Sequence, residues 1–136
     1  MAKFYAKDFV ITVGGEDLSA SLASVELSIE VDDIETTSFG SSGWRTRQGG
    51  LQQASVSLSF HQDFGAGAVD ATLHPLIGTV VEVVITPTAA AVSATNPSYT
   101  FDALVNNYVL SGAVGDLATF DVTWPVSGVV VRSAGA

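Results

Sequence analysis

Ser24-Val25-Glu26-Leu27-Ser28-Ile29-Glu30-Val31-Asp32 alternates polar and apolar residues without a break. In an extended chain Val25, Leu27, Ile29 and Val31 point one way. Ser24, Glu26, Ser28, Glu30 and Asp32 point the other. That is the period of a strand with one face on a core and one in water. The pattern returns further on, with Ala54, Val56, Leu58 and Phe60 inward and Ser55, Ser57, Ser59 and His61 outward. The run 79–86, β-branched nearly throughout, reads as a central strand. Near the start, an apolar run over 9–13 ends in the turn signal Gly14-Gly15, and a first hairpin into 18–22 is expected. Late in the chain, two long strands are expected over 99–110 and 117–124, with a glycine-containing turn over 111–116 between them. Gly128 then leads into a short last strand over 129–132. Only 65–78 departs from this: Val69, Leu73 and Leu76 or Ile77 fit a helical face, with Asp70 as a candidate cap. Pro75 limits that helix to a turn or two. The segment 87–97, between two prolines, reads as a small-residue loop. Several strands with turn signals and one short helix make an all-β fold, an antiparallel β-sandwich or barrel, as a single domain over 1–136.

Between the two alternating strands lies 32–51, with no helical period and no sustained alternation. It holds four of the 13 glycines, one of the two tryptophans and two of the five basic residues. Long irregular loops inside compact domains are uncommon and are usually functional or disordered. Trp44 between Gly43 and Arg45 argues against plain disorder, because disordered segments are poor in large aromatics. The stretch therefore reads as a long inter-strand loop that orders against another surface.

The chain has 136 residues, enough for one core without staples. With no cysteine, neither a disulfide framework nor a thiolate metal site can form. Fourteen acidic against five basic residues leave a formal charge of −9, and a chain so acidic is a poor binder of phosphate backbones. At 14% charged and 47% apolar it is no disordered acidic tail. No stretch approaches the roughly 20 apolar residues of a membrane helix. Lys3 and Lys7 are followed by no apolar core of a signal peptide, so a soluble protein made in the cytoplasm is expected.

A catalytic reading finds little support. His61-x-Asp63 with His74 offers too few ligands for zinc, which takes three or four, and these histidines read as surface residues. No serine sits in Gly-x-Ser-x-Gly, and the glycines follow no phosphate-binding spacing. Asp32, Asp33 and Glu35 read as a solvated acidic edge. Neither an enzyme, a metal nor a cofactor is expected. Two features remain. One is the polar face Glu26, Glu30 and Asp32, which alternation alone explains as an ordinary outer sheet face. The other is Trp44 with Arg45 and Arg47. Trp and Arg concentrate at interface anchors, but Trp44 reads equally well as folded onto its own core.

The run Ile34-Glu35-Thr36-Thr37-Ser38-Phe39-Gly40, followed by Gly43-Trp44-Arg45 and Gly49-Gly50-Leu51, resembles the major tail tube proteins of long-tailed bacteriophages and related gene-transfer particles. So does the order that follows: a Ser/Val strand, the Val69-Asp70-x-x-Leu73 helix, a Val-rich strand after Gly78, and Gly115-Asp116-x-x-x-Phe120 opening a late strand. The resemblance spans nearly the whole chain and rests on small residues and turn signals. It implies a β-sandwich with a flanking helix that self-assembles into hexameric rings, stacked as a tube through which DNA passes without tight binding. Other tail proteins would meet it at the tube ends, and its place would be the virion tail. Under this resemblance Glu26, Glu30 and Asp32 become lumen-facing, repelling phosphates so that DNA slides. The 32–51 loop becomes an assembly arm, with Phe39, Trp44, Arg45, Arg47 and Leu51 as inter-subunit contacts. The two arginines would aim at Asp33, Asp63, Asp70 or Asp116 of a neighbour. Two alternatives stand beside it: the tube of a type VI-like or other injection system, and a monomeric β-sandwich binding or decoration module.

Overall fold

The structure, a computed structural model, describes residues 7–134; Lys3 lies outside the described residues. Seven strands form one antiparallel sheet: β1 (Val10–Val13), β2 (Glu16–Asp17), β3 (Leu22–Glu35), β4 (Arg47–His61), β5 (Val80–Thr86), β6 (Ser98–Leu104) and β7 (Thr119–Ser133). Their spatial order is β2-β1-β5-β6-β7-β4-β3. Among the described residues the one α-helix, α1 (Val69–Leu73), runs into a 3-10 turn at His74–Leu76.

The strand that organises the sheet is β7. Its first half pairs with β4, from His61↔Thr119 to Ser55↔Pro125. Its second half pairs with β6, from Ala103↔Val126 to Ser98↔Ser133. The handover falls at Pro125, which has no N–H to give to a ladder. Just beyond it the register with β6 jumps between Thr100 and Asp102, and Gly128 there has φ +97°, a conformation open to glycine and costly for other residues. The sheet folds over at this bend, as sandwich corners do. Ile11, Val83, Ile85 and Phe101 from one layer thereby meet Val56, Leu58, Phe60, Val122 and Trp124 from the other in a single core. Val69 and Leu73 of α1 join that core fully buried.

The alternation expected for 24–32 and 54–61 is present, and β5 is central, between β1 and β6. Several boundaries differ from the sequence reading, each for a physical reason. The strand expected over 99–110 stops at Leu104, because β5 begins at Val80↔Leu104 and offers no partner beyond. The apolar Val109 and Leu110 that prolonged the pattern are exposed. The strands expected at 117–124 and 129–132 are one continuous β7, since the glycine between them forms a bulge and not a turn. The second strand of the first hairpin is not at 18–22 but is the two-residue β2 just before it, because the chain leaves the pairing at Asp17. After it Ser19 Oγ accepts the N–H of Ile11 at 3.0 Å, and a 3-10 turn at Ser19–Ser21 carries the chain to β3. Asp70 does not cap α1: the N-cap position is Ala68, and the Asp70 carboxylate accepts the Tyr108 hydroxyl at 2.6 Å. Finally, the irregular stretch is narrower than 32–51. Strand pairing reaches Glu35↔Arg47 and leaves only 36–46 as loop.

Candidate assembly and channel surfaces

The β3–β4 hairpin outruns the sheet that carries it. β4 leaves β7 at Ser55, while its pairing with β3 continues to Arg47. Over 29–35 and 47–54, therefore, each strand has only the other as its sheet neighbour. The result is a two-stranded arm projecting from the sandwich. The apolar side of the alternation goes with it, so Ile29 and Val31, in phase with the half-buried Val25 and Leu27, are each 51% exposed. Gly50 and Leu51 stand opposite Asp32 at a register shift between Val31 and Asp33. A Cβ at Gly50 would lie 2.8 Å from Ile34 Cδ1 and 3.1 Å from Asp32 Cβ, so a larger residue there would push the Ile34 side chain aside and crowd Asp32. Such a bulge sharpens the twist of the ribbon.

The tip is a folded loop. Thr36 N donates to Thr46 O at 2.8 Å, and Thr46 N donates to Thr37 Oγ1 at 3.0 Å. Ser38 and Ser41 close a capping box around a 3-10 turn at Phe39–Ser41. Ser42 and Gly43 then take successive positive φ values, 54° and 83°, which turns the chain back toward β4. This geometry holds Phe39 fully exposed and Trp44 76% exposed, with Leu51 exposed farther down the arm. Of the two readings of Trp44, the folded-back one is excluded within the chain: the tryptophan of the core is Trp124. Arg45 and Arg47 turn to their own hairpin. Arg47 Nη1 donates to Asp33 Oδ2 at 2.5 Å, and Arg45 Nη1 lies 3.8 Å from Glu35 Oε1. Both pairs are exposed, so water and salt screen them.

Glu26 lies on the outward face of the layer formed by β3, β4 and the first half of β7, and Glu30 and Asp32 continue that face onto the arm. Cross-strand rows carry the face onward: Ser24, Ser59 and Asp121 stand side by side, as do Glu26, Ser57 and Thr123. Ser57 and Thr123 hydroxyls meet at 3.1 Å, and Gln53 Nε2 reaches Glu30 Oε2 at 3.4 Å. Asp121 is the acidic member that reading the sequence missed. Its signal was present in the alternation of Phe120, Val122 and Trp124 inward against Asp121 and Thr123 outward. No Lys or Arg occurs anywhere between Arg47 and Arg132. The face is hydroxyl-rich with carboxylates spaced across it, and no cation of β4 or of the first half of β7 beyond Arg47 relieves them.

Among the described residues no group of three His, Cys, Asp or Glu could hold a metal ion. His61 ends β4 and His74 opens the 3-10 turn, both exposed. No helix among the described residues is long and apolar enough to cross a membrane.

With this geometry in hand, solved structures supply a comparison. A chain in the virion of a native gene transfer agent particle matches over 97% of this chain and 100% of its own, with TM-score 0.78 and 16% identity. A chain from the tail of an empty particle of that kind, refined helically with C6 symmetry, matches over the same shares with TM-score 0.72 and 17% identity. This chain has a tail-tube fold. The SPP1 tail tube matches as well, over 94% of this chain and 76% of its own, with TM-score 0.65 and 12% identity. No protein-family model matches the sequence, and no curated protein does. The likeness is one of backbone fold, at 12–17% residue identity.

Proposed function

We propose that the protein is the structural subunit of a tail tube, assembling as hexameric rings that stack around a channel for DNA and belonging to a virion tail, where other tail proteins meet the tube ends. The observation that carries this reading is the end-to-end fold match to a chain of a C6-symmetric tail. The surfaces described above suit the role. The projecting arm, with Phe39, Trp44, Leu51, Arg45 and Arg47, offers apolar area and charge to a neighbouring subunit. The face of Glu26, Glu30 and Asp32, extended by Asp121, serves as the channel lining. Carboxylates on such a wall raise the energy of a nearby phosphate backbone, and hydroxyls between them keep the wall wet. A polyanion then passes without adhering.

The lining is tested by Glu26→Lys, Glu30→Lys and Asp121→Lys combined. All three positions are exposed, so the monomer should melt normally. Tubes of the variant should retain DNA that wild-type tubes release, with retention lost as salt rises, since each phosphate contact contributes to the salt slope. Variant tubes that release DNA as freely as wild type would remove this face from the channel.

A further inference from the structure

Counted from the β7 bend, one layer of the sandwich continues through β6, β5, β1 and β2, and the other through β4 and β3 alone. The second layer is two strands short, and among the described residues β3 ends it with β4 as its one strand neighbour. Along this edge runs an apolar groove of about 370 Å³. Val25, Leu27 and Ile29 of β3 form one wall and Ile85 and Tyr99 the other, and Phe9 lines it as well. Protein interiors pack with few gaps larger than a water molecule, so the groove marks a place where the described sandwich lacks an element.

The described residues begin beside it. Lys7 lines a neighbouring hollow with Leu22, Ala23 and Val25, at the start of β3. Before Lys7 the sequence reads Met1-Ala2-Lys3-Phe4-Tyr5-Ala6, outside the described residues. A stretch of that length, fully extended, reaches about 20 Å, while the wall from Val25 to Ile29 spans about 13 Å. The sequence has the strand period, with Ala2, Phe4 and Ala6 on one side and Lys3, Tyr5 and Lys7 on the other. The two faces of β3 match it: Leu27 and Ile29 line the groove, and Glu26 and Glu30 point outward. The ion pairs among the described residues, Arg45 with Glu35 and Arg47 with Asp33, leave those two glutamates without a cation.

We propose that residues 1–6 add to the outer edge of β3 of the same copy as a further antiparallel strand, with Phe4 opposite Leu27 in the groove and Lys3 opposite Ser28, between Glu26 and Glu30. Ala6 and Ala2 then stand opposite Val25 and Ile29, where small side chains fit beside Phe9 and Tyr99. A lysine diagonal to two carboxylates is within reach of both. Sliding the segment by one residue would turn Lys3 into the groove and Phe4 out to water, so burial fixes the register. The added strand gives the edge of β3 backbone partners and keeps that edge from pairing with other chains. It belongs to the single chain and does not depend on the tail-tube reading.

The chain has no cysteine, so introduced thiols report the register. Lys3→Cys with Ser28→Cys, oxidised in dilute solution, should close an intrachain disulfide, seen as a mass lower by two hydrogens in a species that stays monomeric on a non-reducing gel. Lys3→Cys with Leu27→Cys, one residue off and on the other face, should remain reduced. Disulfide-linked dimers, which would mean that the segment reaches a second copy, overturn the proposal, and so does the absence of any bond. A second measurement reads the alternation. Phe4→Ser should lower Tm by about 5–10 °C through the loss of one buried aromatic, and Tyr5→Ser by less than about 2 °C. Equal effects at the two positions, or an unchanged Tm for Phe4→Ser, contradict the placement of Phe4 in the groove.

Discussion

Trp44 and Trp124 are the same residue type in opposite situations, and substituting each separates fold from assembly. Trp124 is fully buried, with its Nε1–H on Asn107 O at 3.1 Å. Trp124→Ala should cost about 3–5 kcal/mol through the cavity it leaves and should be seen as a collapsed melting transition. Trp44→Ala should leave the monomer within about 0.5 kcal/mol, as exposed substitutions do, while polymerisation is lost; a destabilised Trp44→Ala monomer would mean the arm packs on its own sandwich. Tyr108 is a quieter case. Burial first, and the Asp70 carboxylate second, hold its hydroxyl protonated above the usual tyrosine range, against a smaller opposing effect of Gln62. A raised pKa on an acid of this kind means the neutral form is favoured by folding. Its stabilisation is therefore full below about pH 10, the ordinary tyrosine value, and is lost as pH rises through the folded value. Tyr108→Phe should cost about 1 kcal/mol at neutral pH and flatten that alkaline loss; urea titrations at pH 7 and above pH 10 check both. Trp124 inward could be read from its alternation with Val122 and Phe120. The Tyr108–Asp70 bond could not, because it joins residues 38 apart in segments with no shared period, and from sequence alone Asp70 at the start of a helical face reads as a cap.

Among the elements, β7 decides the architecture and the β3–β4 arm carries exposed apolar residues away from it. The β7 bend depends on Gly128 at φ +97°. Gly128→Ala has open space for its methyl yet must adopt a backbone that L-residues disfavour. It should cost about 1 kcal/mol or more and lower Tm by about 3–6 °C, measured by circular dichroism; no change in Tm would mean that the bend does not rely on this glycine. The sequence showed the strand before Gly128 and the strand after it. It did not show that they are one, because a glycine with positive φ marks a turn and a bulge alike. The same limit shaped the reading of 32–51. Alternation fails there because Gly49, Gly50 and the shift at Asp32 break the period, yet backbone pairing persists without side-chain regularity. The strands of the core, whose faces are set by burial, were legible. The ribbon beyond the core has no buried face to write a pattern, and its pairing had to be seen.

At the scale of the whole molecule, the proposed function requires a chain of formal charge −9 to meet copies of itself. In the proposed ring six such subunits would repel one another, and screening lengths of about 10 Å at 0.1 M salt make the repulsion adjustable. Rising salt should therefore favour assembly even as it weakens the exposed arginine pairs, since the uncompensated acids far outnumber them. The polar face was legible in the sequence, and the irregular 32–51 stretch marked where the arm stands; that Glu26, Glu30 and Asp32 share one hairpin with Phe39 and Trp44 came from the pairing register. The measurement closest to the central claim is electron microscopy of the purified, concentrated protein across a range of salt. The account expects rings with six-fold symmetry and hollow tubes built from them, appearing more readily as salt rises. Particles that remain single 14.0 kDa chains at every concentration and salt would contradict it.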